Sequence, residues 1–249
     1  MNPGQIFSRS FRASVVACVV GLSGCASAVP APRGPELPHF DENAALTFRL
    51  DVLEKGERAG HGTATVISTE GHMLTAYHVV SHADTTLQIV MDVRGLPMPV
   101  AYPAKVIAFD KSDDLAVIKV ERTFAQPAVF ENMQSVHAGD GVYHVGYPYS
   151  FGKMVGRGSI SKLHYTVKDK GRIALEDALV LDTPDGPGTS GTAIFATSNG
   201  RIVGVMRLMI AISDRGTPPM VVRIATPGDH VTRFLDKNRI PYTRAPEGA

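Results

Sequence analysis

The sequence predicts an all-β domain, an antiparallel barrel or sandwich, and three observations carry that expectation. Short runs rich in Val, Ile, Thr and Phe recur from residue 45 onward, turn signals separate them, and helical periodicity between them is nearly absent. The runs are TFRLDVL, GTATVIS, TTLQIVMDV, AKVIAF, LAVIKV, GVYHVG, ALVLDT, TAIFA, RIVGVM and MVVRIA, with TEGH, SDD, AGDG, DGPG and TSNG between them. Strands without a helix at each crossover argue against a parallel sheet, because every βαβ unit needs one. One helix is expected late in the chain. Pro227-Gly228-Asp229 would start and cap HVTRFLDKN, which puts Val231, Phe234 and Leu235 on one face.

The ends read differently. Residues 1–24 open with Arg9 and Arg12 and no acid, then carry a short apolar run from Ala13 to Leu22, about half of what a membrane-spanning helix needs. This is the pattern of a secretory signal. Its close, Leu22-Ser23-Gly24-Cys25, resembles the lipobox of bacterial lipoproteins, which implies cleavage before Cys25 and a lipid on that residue. The alternative is a plain signal cut after Ala26-Ser27-Ala28. Residues 25–43 are proline-rich and read as a tether, 44–240 as the folded domain, and 241–249 as a tail. The lipobox reading places the protein in the bacterial cell envelope, on the membrane through its lipid.

Charge and cysteine content narrow the chemistry. Lys+Arg 25 against Asp+Glu 24 gives a net charge of +1, and losing Arg9 and Arg12 with the signal makes it −1. No block of like charge suggests nucleic acid as a partner. Cys18 falls in the signal and Cys25 would carry lipid, so the mature domain holds no internal disulfide.

The chemistry-bearing stretch is GPGTSGTAIF, which sets Ser190 among glycines and threonines before an apolar strand. A serine hydroxyl needs a base and oxyanion donors to act as a nucleophile. His78, in HMLTAYHVVSHAD, follows the strand-like Met73-Leu74-Thr75 and opens a helical turn, a position suited to a cleft. His72 and His82 flank it in polar, turn-like surroundings and are expected at the surface. His78 and His82 have zinc-helix spacing, but Val79 stands where that pattern requires a glutamate, so no metal is expected. In FDKSDDLAVIKV, Asp114 adjoins the strand Leu115-Ala116-Val117 and could hold the imidazole Nδ1–H of His78; Asp113 and Asp110 are expected to be exposed.

TAYHVV around His78, DDLAVIKV around Asp114 and GPGTSGTAIF around Ser190 resemble, in this order, the three catalytic blocks of trypsin-like serine proteases, closest to the bacterial HtrA/Deg type. GTATVISTEGHMLTAYHVV, VGYPYSFGKMVGRGSISKL and GRIVGVM extend the likeness over roughly residues 58 to 225. The resemblance implies a double six-stranded antiparallel β-barrel with a short C-terminal helix. It also implies hydrolysis of protein or peptide substrates by His78, Asp114 and Ser190, with the N–H groups of Gly188 and Ser190 as oxyanion hole and no cofactor. The strand from Gly204 to Met209 would line the primary pocket, with Leu208 and Met209 restricting it, Pro184 at its base, and Arg207 exposed. A small or medium aliphatic side chain is then expected before the cut.

This chain departs from the family pattern in three places. Thr192 and Ala193 replace the second glycine and the proline of Ser-Gly-Gly-Pro, Thr189 stands where digestive proteases carry an aspartate, and no PDZ domain is expected. Two other readings compete. Ser190, Asp214 and His230 have the order of an α/β-hydrolase triad, but Thr192 occupies the required glycine position and the alternating helices are missing. The other is a lipid-anchored binding module that keeps the protease fold without turnover.

Overall fold

The structure is a computed structural model that describes residues 37–82, 84–92, 97–169, 172–212 and 220–246; the signal, Cys25 and Asp214 lie outside the described residues. A short helix, α1 (Phe40–Ala45), precedes six strands: β1 (Thr47–Glu54), β2 (Glu57–Val66), β3 (His72–Ala76), β4 (Thr85–Met91), β5 (Val100–Asp110) and β6 (Leu115–Val120). A one-turn helix, α2 (Tyr77–Val80), interrupts them directly after β3. The strands pair antiparallel in the order β1-β2-β3-β6-β5-β4, and β4 returns to β1 to close a barrel.

The second half repeats the plan. It contains β7 (Val129–Phe130), β8 (Gly141–Gly146), β9 (Met154–Asp169), β10 (Arg172–Leu181), β11 (Ala193–Ala196), β12 (Ile202–Ile212) and β13 (Met220–Pro227), then α3 (Gly228–Lys237) and β14 (Thr243–Arg244). The ring β8-β9-β10-β13-β12-β11 closes because β11 pairs with both β8 and β12. The two-residue strands β7 and β14 are parallel additions outside the ring. Closure removes the exposed sheet edges that an open sheet would present. The double six-stranded barrel with a late helix is therefore observed as expected.

Apolar side chains fill each barrel. Leu50, Ile67, Met73, Leu74, Ile89, Leu115 and Ile118 are fully buried in the first, and Val142, Ile160, Leu179, Leu181 and Ile194 in the second. Each such residue contributes about 1.5–3 kcal/mol relative to exposure. α3 seats Val231, Phe234 and Leu235 in this core, the face read from the sequence. Its N-cap is Pro227, with no side-chain cap, and Asp229 in the first turn pairs with Arg233 instead of capping. The barrels meet where β3 faces β12 and β1 faces β8.

Both ends of the packed chain exceed the bounds expected from the sequence. The stretch read as tether up to residue 43 forms most of α1. The Asn43 amide donates to the Tyr143 hydroxyl at 2.8 Å and to the Gly200 carbonyl at 2.7 Å. Phe40 packs beside Tyr143, at 6.0 Å between ring centroids. The stretch read as a tail from residue 241 adds Tyr242, edge-on to Phe130, and β14 beside β7. Few apolar residues suffice at each end because the second barrel supplies the partners. Asn43→Ala is expected to lower unfolding free energy by about 1–3 kcal/mol, the penalty for stranding buried polar partners. Urea denaturation checks this.

Candidate active site

The turn between β5 and β6 delivers the carboxylate. The side chain of Asp110 accepts from the backbone N–H groups of Ser112 and Asp113 and from the Ser112 hydroxyl, which closes a tight Asx turn. Asp114 then adopts a left-handed φ of 54°, which aspartate tolerates better than most residues, and turns back towards α2. One carboxylate oxygen accepts the His78 backbone N–H at 2.8 Å, and the other lies 2.7 Å from His78 Nδ1. The Asp114 carbonyl also accepts from Tyr77 N–H at 2.9 Å. A carboxylate can only accept, so Nδ1 carries the proton and Nε2 is left with a lone pair facing the cleft. His78 is half exposed, whereas Asp114 is buried.

Ser190 comes from the opposite barrel on the turn between β10 and β11. The Thr189 side chain and backbone N–H both bond the Gly186 carbonyl, and Thr192 N–H bonds the Thr189 carbonyl. Thr189 is buried, so its hydroxyl closes the turn locally. Thr63 of β2 holds the turn from the first barrel. Its N–H donates to the Ser190 carbonyl at 3.0 Å and its hydroxyl to the Gly188 carbonyl at 2.8 Å. Met206 of β12 accepts from Gly191 N–H at 2.9 Å. Thr192 points into the second barrel, fully buried, with its hydroxyl bonded to the Val145 carbonyl. Its side chain thus leaves the nucleophile's surroundings open.

Gly188 has φ +107°, and a Cβ there would collide with the Tyr147 carbonyl and His61 Nε2. The Pro187 carbonyl is tied to Tyr149 N–H at 2.6 Å, which fixes the plane of the peptide that carries Gly188 N–H. Among the described residues, neither Gly188 N–H nor Ser190 N–H has an acceptor. Two backbone donors without acceptors on one tight turn are free to receive a negatively charged oxygen. The Ser190 hydroxyl likewise makes no hydrogen bond among the described residues. Such catalytic bonds are often long in free enzymes.

His78, Asp114 and Ser190 line one cleft of about 610 Å³ together with Tyr77, Lys111, Met206, Arg207, Leu208 and Met209. Leu208 and Met209 line the cleft on one side. Pro184 does not reach the cleft. It is exposed, and its carbonyl accepts from His144 Nε2 at 3.0 Å, so the neighbouring Asp185 and Gly186 form that wall. Burial raises the Asp185 carboxyl despite the Arg223 guanidinium 3.3 Å away, and burial lowers His144. Two other sequence expectations are corrected. His72 is buried, with Nδ1 bonded to the Ser68 hydroxyl at 2.7 Å, because β3 places it inside rather than at a turn. The Arg207 side chain is only 11% exposed and lies 3.8 Å from Asp114.

Asp113 is also less exposed than expected. Its carboxylate lies 3.2 Å from His230 Nδ1, and Asp177 lies 2.9 Å from Nε2 of the same ring. The hydrogen bond to Asp113 raises the His230 pKa above its ordinary 6.5, burial opposes this, and Asp177 adds to the rise. The sign follows: the folded state binds the proton more tightly, so the stabilisation is full below 6.5 and is lost as pH rises through the raised value. Wild type is expected to lose its melting-temperature advantage over His230→Gln as pH rises from about 6 to about 9. Thermal unfolding across that range checks this.

The sequence profile of the trypsin-like peptidase domain matches residues 62–205, which hold all three blocks. The chain belongs to this family. Among relatives of this chain, the serine endoprotease DegS of Escherichia coli K12 is 29% identical over 182 residues, 71% of this chain and 47% of DegS. The magnetosome formation protease MamE of Paramagnetospirillum magneticum is 31% identical over 199 residues, 78% of this chain and 25% of MamE. The chain therefore spans half or less of these relatives. Among solved structures, the HtrA-type protease AlgW with a tripeptide superposes with a TM-score of 0.64 at 22% identity, covering 80% of this chain and 62% of that one. That likeness speaks for the fold.

Thr63, Asp185 and Arg207 were not legible as site residues. Thr63 sits in an ordinary strand run, GTATVIS, and no local signal marks its two bonds to the serine turn. Asp185 was visible only as part of a turn, and Arg207 as one residue of a strand.

Proposed function

We propose that the chain is a serine endopeptidase of the trypsin-like, HtrA-related type. The observation that carries this is one cleft lined by an Asp114-bonded His78 and by Ser190, whose turn carries two N–H groups without acceptors among the described residues. In this reading Ser190 Oγ attacks the peptide carbonyl as His78 Nε2 takes its proton. Asp114 stabilises the imidazolium, and the N–H groups of Gly188 and Ser190 receive the oxyanion. His78 then protonates the leaving amine, and water, activated by the same base, hydrolyses the acyl-enzyme. Protein or peptide substrates with a small or medium aliphatic side chain before the cut suit the apolar Leu208 and Met209 wall.

A fluorophosphonate probe tests the reading. Wild type should be labelled and should hydrolyse casein, and Ser190→Ala should do neither. A second reading, a binding module without turnover, is favoured by the Ser190 hydroxyl, which makes no hydrogen bond among the described residues; folded wild type that stays unlabelled would select it. We further propose a lipid on Cys25 and residence at the bacterial envelope membrane. Incorporation of an alkyne-tagged fatty acid by wild type, lost in Cys25→Ser, tests that part separately.

A further inference from the structure

The segment that carries Asp114 belongs to the first barrel, yet side chains of the second hold it. Thr226 of β13 donates its hydroxyl to the Asp113 carbonyl at 2.7 Å, and His230 of α3 bridges to the Asp113 carboxylate. Arg207 of β12 reaches furthest. Its Nη2 donates to the Ser112 carbonyl at 2.6 Å, and its Nε lies 3.8 Å from Asp114 Oδ2, the oxygen that faces His78 Nδ1. The register of β12 against β13 slips between Met206 and Leu208, so Arg207 is the bulged residue. A bulge re-aims a side chain away from the strand's regular alternation. Here it swings the guanidinium off the sheet and onto the neighbouring barrel.

We propose that Arg207 is a positioning residue, a strap between barrels that fixes the Asp114 carboxylate beside His78. The inference rests on reading His78 and Asp114 as the catalytic pair. Fixing comes from the bond to Ser112, two residues before Asp114, and from the attraction of the guanidinium for the carboxylate 3.8 Å away. The Arg207 side chain is nearly buried, so water screens that attraction little.

Histidine NMR of the whole protein, with the Nδ1 proton assigned by His78→Ala, reads the strap without any need for turnover. In Arg207→Gln, exchange of the His78 Nδ1 proton with water is expected to quicken severalfold, because the carboxylate that holds it is no longer tied to the second barrel. Arg207→Lys should also quicken it, because the ammonium retains charge without the planar fork. Wild-type exchange in Arg207→Gln overturns the inference. If that variant does not fold, wild-type exchange in Arg207→Lys overturns it. Failure of the functional reading looks different: wild type would escape the fluorophosphonate while the NMR contrast persisted.

Discussion

Asp114→Asn is expected to lower kcat by about 10⁴-fold with little change in stability, a magnitude set by triads in other hydrolases. The geometry says why so small a change should matter. In this chain the two carboxylate oxygens have separate partners, His78 N–H at 2.8 Å and Nδ1 at 2.7 Å. Asparagine can keep the first bond with its carbonyl oxygen. It must then turn its NH₂ towards Nδ1, which makes Nδ1 an acceptor and moves the ring proton to Nε2. The imidazole would sit in place but in the wrong tautomer, unable to take the Ser190 proton. Steady-state kinetics of a peptide ester, with circular dichroism to confirm the fold, is the measurement. A loss below about tenfold would mean that Asp114 does not set the tautomer.

Gly188→Ala should be the next most damaging change at the site. A methyl group there meets the Tyr147 carbonyl and His61, and φ +107° is a conformation that L side chains rarely adopt. The strain can be relieved by rotating the Pro187–Gly188 peptide. That breaks the 2.6 Å bond from Tyr149 N–H and turns one of the two unpaired donors away. Losing one oxyanion donor typically costs about 2.7–4 kcal/mol of barrier, so kcat should fall by about 10²–10³-fold while KM changes little. The same variant should still react with a sulfonyl fluoride, only more slowly, which separates a damaged oxyanion hole from a lost nucleophile. Equal kcat in wild type and Gly188→Ala would remove Gly188 from the proposed mechanism.

Much of this site was readable from residues in order because its parts are local. His78 directly follows a strand, Asp114 directly precedes one, and Ser190 sits in a glycine turn. Two of the turns close on their own neighbours: Asp110 closes the Asx turn before Asp114, and Thr189 closes on Gly186. What failed were judgements about burial. His72 and Arg207 looked like surface residues because polarity was the only local clue. A strand position cannot show whether the far barrel will cover it. β9 was also missed as a single strand. Its glycines and alternating polar residues carry little apolar signal, and it is identified by pairing with β8 and β10 along most of its length.

Thr192, which departs from the family pattern two residues after Ser190, turns on the same distinction. In the fold its side chain turns away from Ser190 and bonds the Val145 carbonyl inside the second barrel. By itself the sequence determined the strand-rich class, the family's three blocks and their order, because these depend on short-range pattern and backbone chemistry. Only the tertiary structure decided which side chains the two barrels share. Thr63 reaches from one to hold the serine turn, and Arg207 reaches from the other to hold Asp114. Those contacts join residues far apart in the chain, and the closing of each barrel, rather than any local preference, brings them within bonding distance.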